Sequence, residues 1–237
     1  MKYACIRIDS RFNGPPHSAN GGYVCGLMAA TIDQPLTVRL HQPTPLDVDL
    51  SLNFDSASGK WHLLRDELLI AAAHVAHEHV HLHTHVPKAP DYEQALAASL
   101  HCSGHTQHAY PSCFVCGTAR RPENGLRIFA GPVTGSRMVA APWLPDIGLD
   151  DGQGKVRPEF IWAALDCPGY FASITTGRAA LLGELTVHID RSVYTDSHCV
   201  IIGWQILIEG RKHKVGTALF DEYGERCAVG VATWLEV

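Results

Sequence analysis

Apolar and polar positions along the chain change their period several times, and each change delimits an element. Ala4 to Asp9 alternates as a strand does, and Phe12-Asn13-Gly14-Pro15-Pro16 reads as a loop. Small and apolar residues from Asn20 to Ile32 predict a helix. Val38 to Leu40, Val48 to Asn53, Trp61 to Leu64 and Leu68 to Val75 then read as successive strands separated by Pro or Gly/Ser turns, a meander after a helix. Beyond it, His79, His81, His83 and His85 alternate with Val80, Leu82, Thr84 and Val86, which puts the imidazoles on one strand face. Without other ligands nearby, that face reads as a polar or solvent-facing edge before a metal site. Pro87 to Pro90 breaks the strand, and Tyr92 to Leu100 has the composition of a short helix.

The chain reads as if written twice. Val38-Arg39-Leu40-His41-Gln42-Pro43-Thr44-Pro45-Leu46-Asp47 aligns position by position with Val187-His188-Ile189-Asp190-Arg191-Ser192-Val193-Tyr194-Thr195-Asp196. Each copy follows a small-residue-rich helical stretch, Asn20 to Ile32 or Arg157 to Thr175, and precedes apolar strand-like runs that end near Val75 or Trp234. The expectation is an α+β protein of two similar halves, 1–103 and 104–237, with any site at their junction.

Composition narrows the function classes. Lys and Arg number 19 against 24 Asp and Glu, a net charge of −5 with no basic stripe, which argues against a nucleic-acid partner. Arg7, Asp9 and Arg11 precede any long apolar run, so no signal peptide is expected, and no apolar run is long enough to span a bilayer. Eight cysteines without an export signal predict reduced thiols in the cytoplasm. Cys113-Phe114-Val115-Cys116-Gly117, with Cys102, His105 and His108 upstream, supplies a set of zinc ligands on paper. A second CxxC or an HxxxH is missing, so the preferred reading is buried thiols at a tight Gly turn, with no metal.

Four segments carry a resemblance: Cys113 to Gly117, Gly125-Leu126-Arg127-Ile128, Trp162-Ala163-Ala164-Leu165-Asp166, and Ala228 to Trp234. Together they resemble the hotdog-fold thioesterase superfamily, closest to its PaaI-like branch. The resemblance implies a double hotdog, two tandem helix-wrapped antiparallel sheets imitating the usual dimer. That family opens its central helix with His-Gly-Gly and sets an Asp at a fixed spacing after it. In the second half the spacing counted back from Asp166 lands on Arg157-Pro158-Glu159; in the first, Asn20-Gly21-Gly22 stands at the helix start and Ala29 at the Asp position. The halves are complementary, and one complete site results.

The resemblance further implies hydrolysis of an acyl thioester, acyl-CoA by class. Free N–H groups at Gly22 and Tyr23 would stabilise the oxyanion, and Asp166 from the other half would act as nucleophile or general base, two roles the sequence leaves open. Asn20 would cap its helix or orient a water. Gly21, Tyr23, His17 and Glu159 are the expected substrate contacts, although a loop histidine is more often solvated and Glu159 suits a helix N-terminus on its own account. No cofactor is expected. Arg120, Arg121 and Arg127 are candidates for CoA phosphates, and Trp143, Trp162, Trp204 and Trp234 read as core. The alternative is a non-catalytic acyl-CoA-binding or regulatory protein. A hotdog dehydratase is disfavoured because Asp166 is followed by Cys167-Pro168-Gly169-Tyr170-Phe171, with no histidine one helical turn on. Acyl length and oligomeric state stay open.

Overall fold

Strands β1 (Lys2–Arg7), β2 (Leu36–Leu40), β3 (Asp49–Asp55), β4 (Lys60–Arg65) and β5 (Leu68–Val75) surround helix α1 (Gly21–Ile32). Helix α2 (Tyr92–Ser99) follows, then β6 (Gly131–Pro132), β7 (Met138–Trp143), and the helix pair α3 (Pro158–Ala164) and α4 (Cys167–Ser173). Strands β8 (Ala180–Ile189), β9 (Cys199–Glu209), β10 (Lys212–Phe220) and β11 (Arg226–Glu236) complete the chain. This computed structural model describes residues 2–76, 85–174 and 177–237; the histidines His79, His81 and His83 of the alternating run lie outside the described residues. The architecture is α+β, with one large antiparallel sheet and few helices.

The strand order is β1-β3-β4-β5-β2-β8-β11-β10-β9-β7-β6. Outward from the central β2–β8 pair, β2 is followed by β5, β4, β3 and β1, and β8 by β11, β10, β9 and β7, with β6 as an additional edge strand. Thr37 pairs with Thr186 across that junction, their hydroxyls 2.9 Å apart, followed by Val38 with Leu185 and Arg39 with Glu184. Asp47 and Asp196, which the sequence comparison sets in register, both turn through left-handed φ, 58° and 61°. Asp at such corners tolerates the conformation at low cost.

The predicted helix Arg157 to Thr175 is broken in two. Pro168 has no N–H and its ring opposes the preceding turn, so α3 stops at Ala164 and α4 starts at Cys167. The carbonyl of Leu165 freed at the break accepts from Thr217 Oγ1 at 2.9 Å. The break leaves Asp166 between two helices and not along the side of one.

Strands β9 and β10 carry long buried runs where alternation fails, Cys199 to Trp204 and Val215 to Phe220. Both their faces are covered: α4 lies on one, and α2 covers the other with Ala95 and Ala98 over Ile202, Trp204, Ala218 and Phe220. Among the described residues no helix is long and apolar enough to cross a membrane.

The helices α1 and α3 cross in close contact at small residues. A Cβ on Gly26 would sit 2.6 Å from Glu159 Cα, and one on Gly22 would sit 2.6 Å from Asp166 Cβ and 2.8 Å from the Trp162 carbonyl. Backbone therefore packs on backbone, a separation that only Gly at these two positions permits. Gly26→Ala is expected to cost about 1–3 kcal/mol through this clash. Thermal unfolding checks it: a Tm fall of roughly 2–4 °C per kcal/mol is expected, and an unchanged Tm would show that the crossing is not tight.

Candidate active site

The crossing delivers Asp166 to the first turn of α1. Asn20 caps that helix, its Oδ1 accepting from the Tyr23 N–H at 2.9 Å. Its Nδ2 donates in the other direction, to Asp166 Oδ2 at 2.9 Å, and the Gly22 N–H donates to the same oxygen at 3.0 Å. Asp166 is only 1% exposed, and its second oxygen, Oδ1, has no hydrogen-bond partner among the described residues. Burial pushes the carboxyl up to about 7; the Gly22 amide and Asn20 pull it down, and the Cys113 sulfur adds to the rise. A carboxyl poised there exchanges protons readily at neutral pH.

A cavity of about 340 Å³ opens beside this pair. Leu40, Ala180, Leu182 and Trp234 give it an apolar wall, while Asn20 and Asp166 are among its few polar groups. Trp234 is thus both core, at 6% exposure, and part of the wall. His108 also faces the cavity with both ring nitrogens engaged: Nε2–H donates to the Cys116 carbonyl at 2.8 Å and Nδ1 accepts from the Tyr110 N–H at 3.0 Å. Burial holds its pKa below the usual value.

Three cysteines border the same cavity. The sulfurs of Cys113, Cys116 and Cys167 lie within 4.8 Å of one another, all buried, and Asn20 Nδ2 approaches Cys113 Sγ at 3.9 Å. Cys102 is not in this group, and His105 turns away to the Ser99 carbonyl at 3.0 Å. The paper ligand set is therefore replaced by one that includes Cys167, which enters because it follows Asp166 at the helix break.

Of the residues expected from sequence, the structure brings together Asn20, Gly21, Gly22 and Asp166. Two corrections concern the amides: the Gly22 N–H is taken by Asp166 and the Tyr23 N–H by Asn20, so neither is free. The Tyr23 ring lies away from the cavity, stacked on Phe12 at 4.2 Å, and burial pushes its hydroxyl up to about 12. His17 is exposed and outside the cavity wall. Glu159 is buried at the helix crossing and paired with Arg157 at 3.5 Å, because the first turn of α3 faces Gly26 and not the cavity. None of Arg120, Arg121 and Arg127 lines the cavity; Arg120 is held by the Ser112 and Asn124 carbonyls and by Asn13, and Arg127 by the Arg120 carbonyl. Reading the residues missed His108 and Cys167 as wall groups, although Cys167 adjoins Asp166 in sequence.

No family model matches the chain, and no curated protein matches it in sequence. Solved structures do. A proposed thioesterase from Novosphingobium aromaticivorans superposes with a TM-score of 0.62 over 98% of this chain and 94% of its own, at 15% identity. A proposed thioesterase II from Thermobifida fusca superposes with a TM-score of 0.60 over 98% of this chain and 91% of its own, at 13% identity. This chain shares the fold of these two proteins.

Asn20 joins two helices through one side chain, so its removal is doubly costly. Asn20→Ala is expected to destabilise by about 2–3 kcal/mol, the sum of a lost cap and a lost donor to a buried carboxyl. Asn20→Ser, which keeps a cap acceptor, should recover roughly 1 kcal/mol of this. Denaturant midpoints of the two variants check the order, and equal midpoints would mean that the cap contributes nothing.

Proposed function

We propose that the chain is a tandem double hotdog, with halves 1–103 and 104–237, that hydrolyses an acyl thioester, acyl-CoA by class, in the cavity beside Asp166. One observation carries this reading: a buried carboxylate from the second half is held at the start of the first half's helix, on the wall of an apolar cavity. The acyl chain lies against Leu40, Leu182 and Trp234, and its carbonyl carbon meets the polar end formed by Asn20 and Asp166.

The hydrogen-bonding pattern favours general-base catalysis. Asp166 Oδ2 is held by two donors, so Oδ1 is the oxygen that takes a proton from water as the water attacks the carbonyl carbon. Collapse of the tetrahedral intermediate expels the thiolate, which regains a proton from the Asp166 carboxylic acid. Among the first-turn amides of α1, Gly21 N–H has no acceptor within the helix and Gly21 lines the cavity, so it replaces Gly22 as the oxyanion donor. The positive end of the helix dipole assists it. All eight cysteines are free thiols, which supports a reducing, cytoplasmic setting.

The competing reading, a non-catalytic acyl-CoA binder, draws on the engagement of the Gly22 N–H by Asp166. Thiol release from acyl-CoAs of increasing chain length separates the two. Turnover of at least one substrate is expected, with Asp166→Asn lowering kcat/KM by about 10²–10⁴-fold in a folded protein. Near-normal turnover in that variant would remove Asp166 from the mechanism. Acyl-CoA binding without turnover in the wild type would establish the binder.

A further inference from the structure

We infer that Cys113, Cys116 and Cys167 form a binding site for a thiophilic divalent cation, zinc by preference, in the wall of the cavity. The three sulfurs come from two separate segments and converge within 4.8 Å of one another, and each cysteine is at least 96% buried. Cys113 Sγ and Cys167 Sγ are 3.7 Å apart. Tetrahedral zinc with bonds of about 2.3 Å places its sulfur ligands about 3.8 Å apart. A disulfide needs about 2.05 Å. The spacing of that pair matches joint coordination and not a bond between the two sulfurs.

The local backbone is built for such a ligand set. In Cys113-Phe114-Val115-Cys116-Gly117 the chain turns back on itself, and Gly117 N–H closes on the Cys113 carbonyl at 2.8 Å. A Cβ at Gly117 would strike the carbonyls of Cys113 and Pro111, so the turn requires Gly there. Cys167 is held in place by the chain break that Pro168 imposes.

A second feature stands next to Cys167 in the chain. Asp166 Oδ1, on the residue preceding Cys167, is a buried acceptor without a partner. Both nitrogens of His108 are engaged, so the histidine is not the fourth ligand. All three sulfurs border the cavity, so the fourth ligand is water or a donor atom that enters it. Asp166 Oδ1 is the acceptor available to a water held there. The inference does not depend on the thioesterase reading.

The test is titration of the full-length protein, reduced and chelator-treated under anaerobic conditions, with Co²⁺. The expected result is a sulfur-to-cobalt charge-transfer band with intense visible bands of four-coordinate cobalt, saturating at one equivalent and bleached by Zn²⁺. Cys116→Ser and Cys167→Ser should each weaken binding by at least about 100-fold, and Cys102→Ser should leave it unchanged. Absence of the charge-transfer band, or its survival in both Cys116→Ser and Cys167→Ser, overturns the proposal. Should those variants misfold, alkylation of the wild type mapped by mass spectrometry decides. Zn²⁺ should protect Cys113, Cys116 and Cys167 but not exposed Cys5, and equal labelling with and without Zn²⁺ refutes the site.

Discussion

The backbone-to-backbone crossing of α1 and α3 is the constraint on which the rest depends. Gly22 and Gly26 remove the side chains that would hold the helices apart, and the Asp166 carboxyl then reaches the first-turn amides of α1. A single methyl group at either glycine would separate the two halves of the candidate site. The same contact closes the layer of helices over the sheet, so stability and site geometry rest on one interaction.

That geometry carries an energetic cost. A carboxyl withdrawn from water loses hydration that two hydrogen bonds only partly replace, and its raised pKa records the deficit. Asn20 limits the cost by serving two helices at once, capping one and donating to the residue at the break in the other. A fold selected for stability alone would place an apolar residue at position 166. A buried, half-satisfied carboxylate on a cavity wall is the feature from which the proposed function is argued.

The helix break links this carboxylate to the thiol cluster. Pro168 ends α3 early, which turns Asp166 towards α1 and Cys167 towards the Cys113–Cys116 turn. Consecutive residues thus point to two chemically different groups on one cavity wall, and any ligand that fills the cavity meets both.

Much of the fold was legible from local pattern. The first helix, its Asn20 cap, the four-strand meander and the helix beginning at Tyr92 follow from residue period, turn residues and capping, which act over a few positions. The alignment of Val38–Asp47 with Val187–Asp196 foreshadowed the β2–β8 junction and the twin corners at Asp47 and Asp196. Strands β9 and β10 resisted a period-two reading because α2 and α4 cover both their faces, which the strand sequences do not encode. The sequence by itself singled out Asn20, Gly21, Gly22 and Asp166, which the structure brings together. Only the tertiary structure decided that Asp166 occupies the Gly22 amide, that Tyr23, His17 and Glu159 point elsewhere, and that Cys167 joins Cys113 and Cys116. Those outcomes depend on which face each helix turns at the crossing and where Pro168 redirects the chain, and such long-range geometry leaves no periodic trace along the sequence.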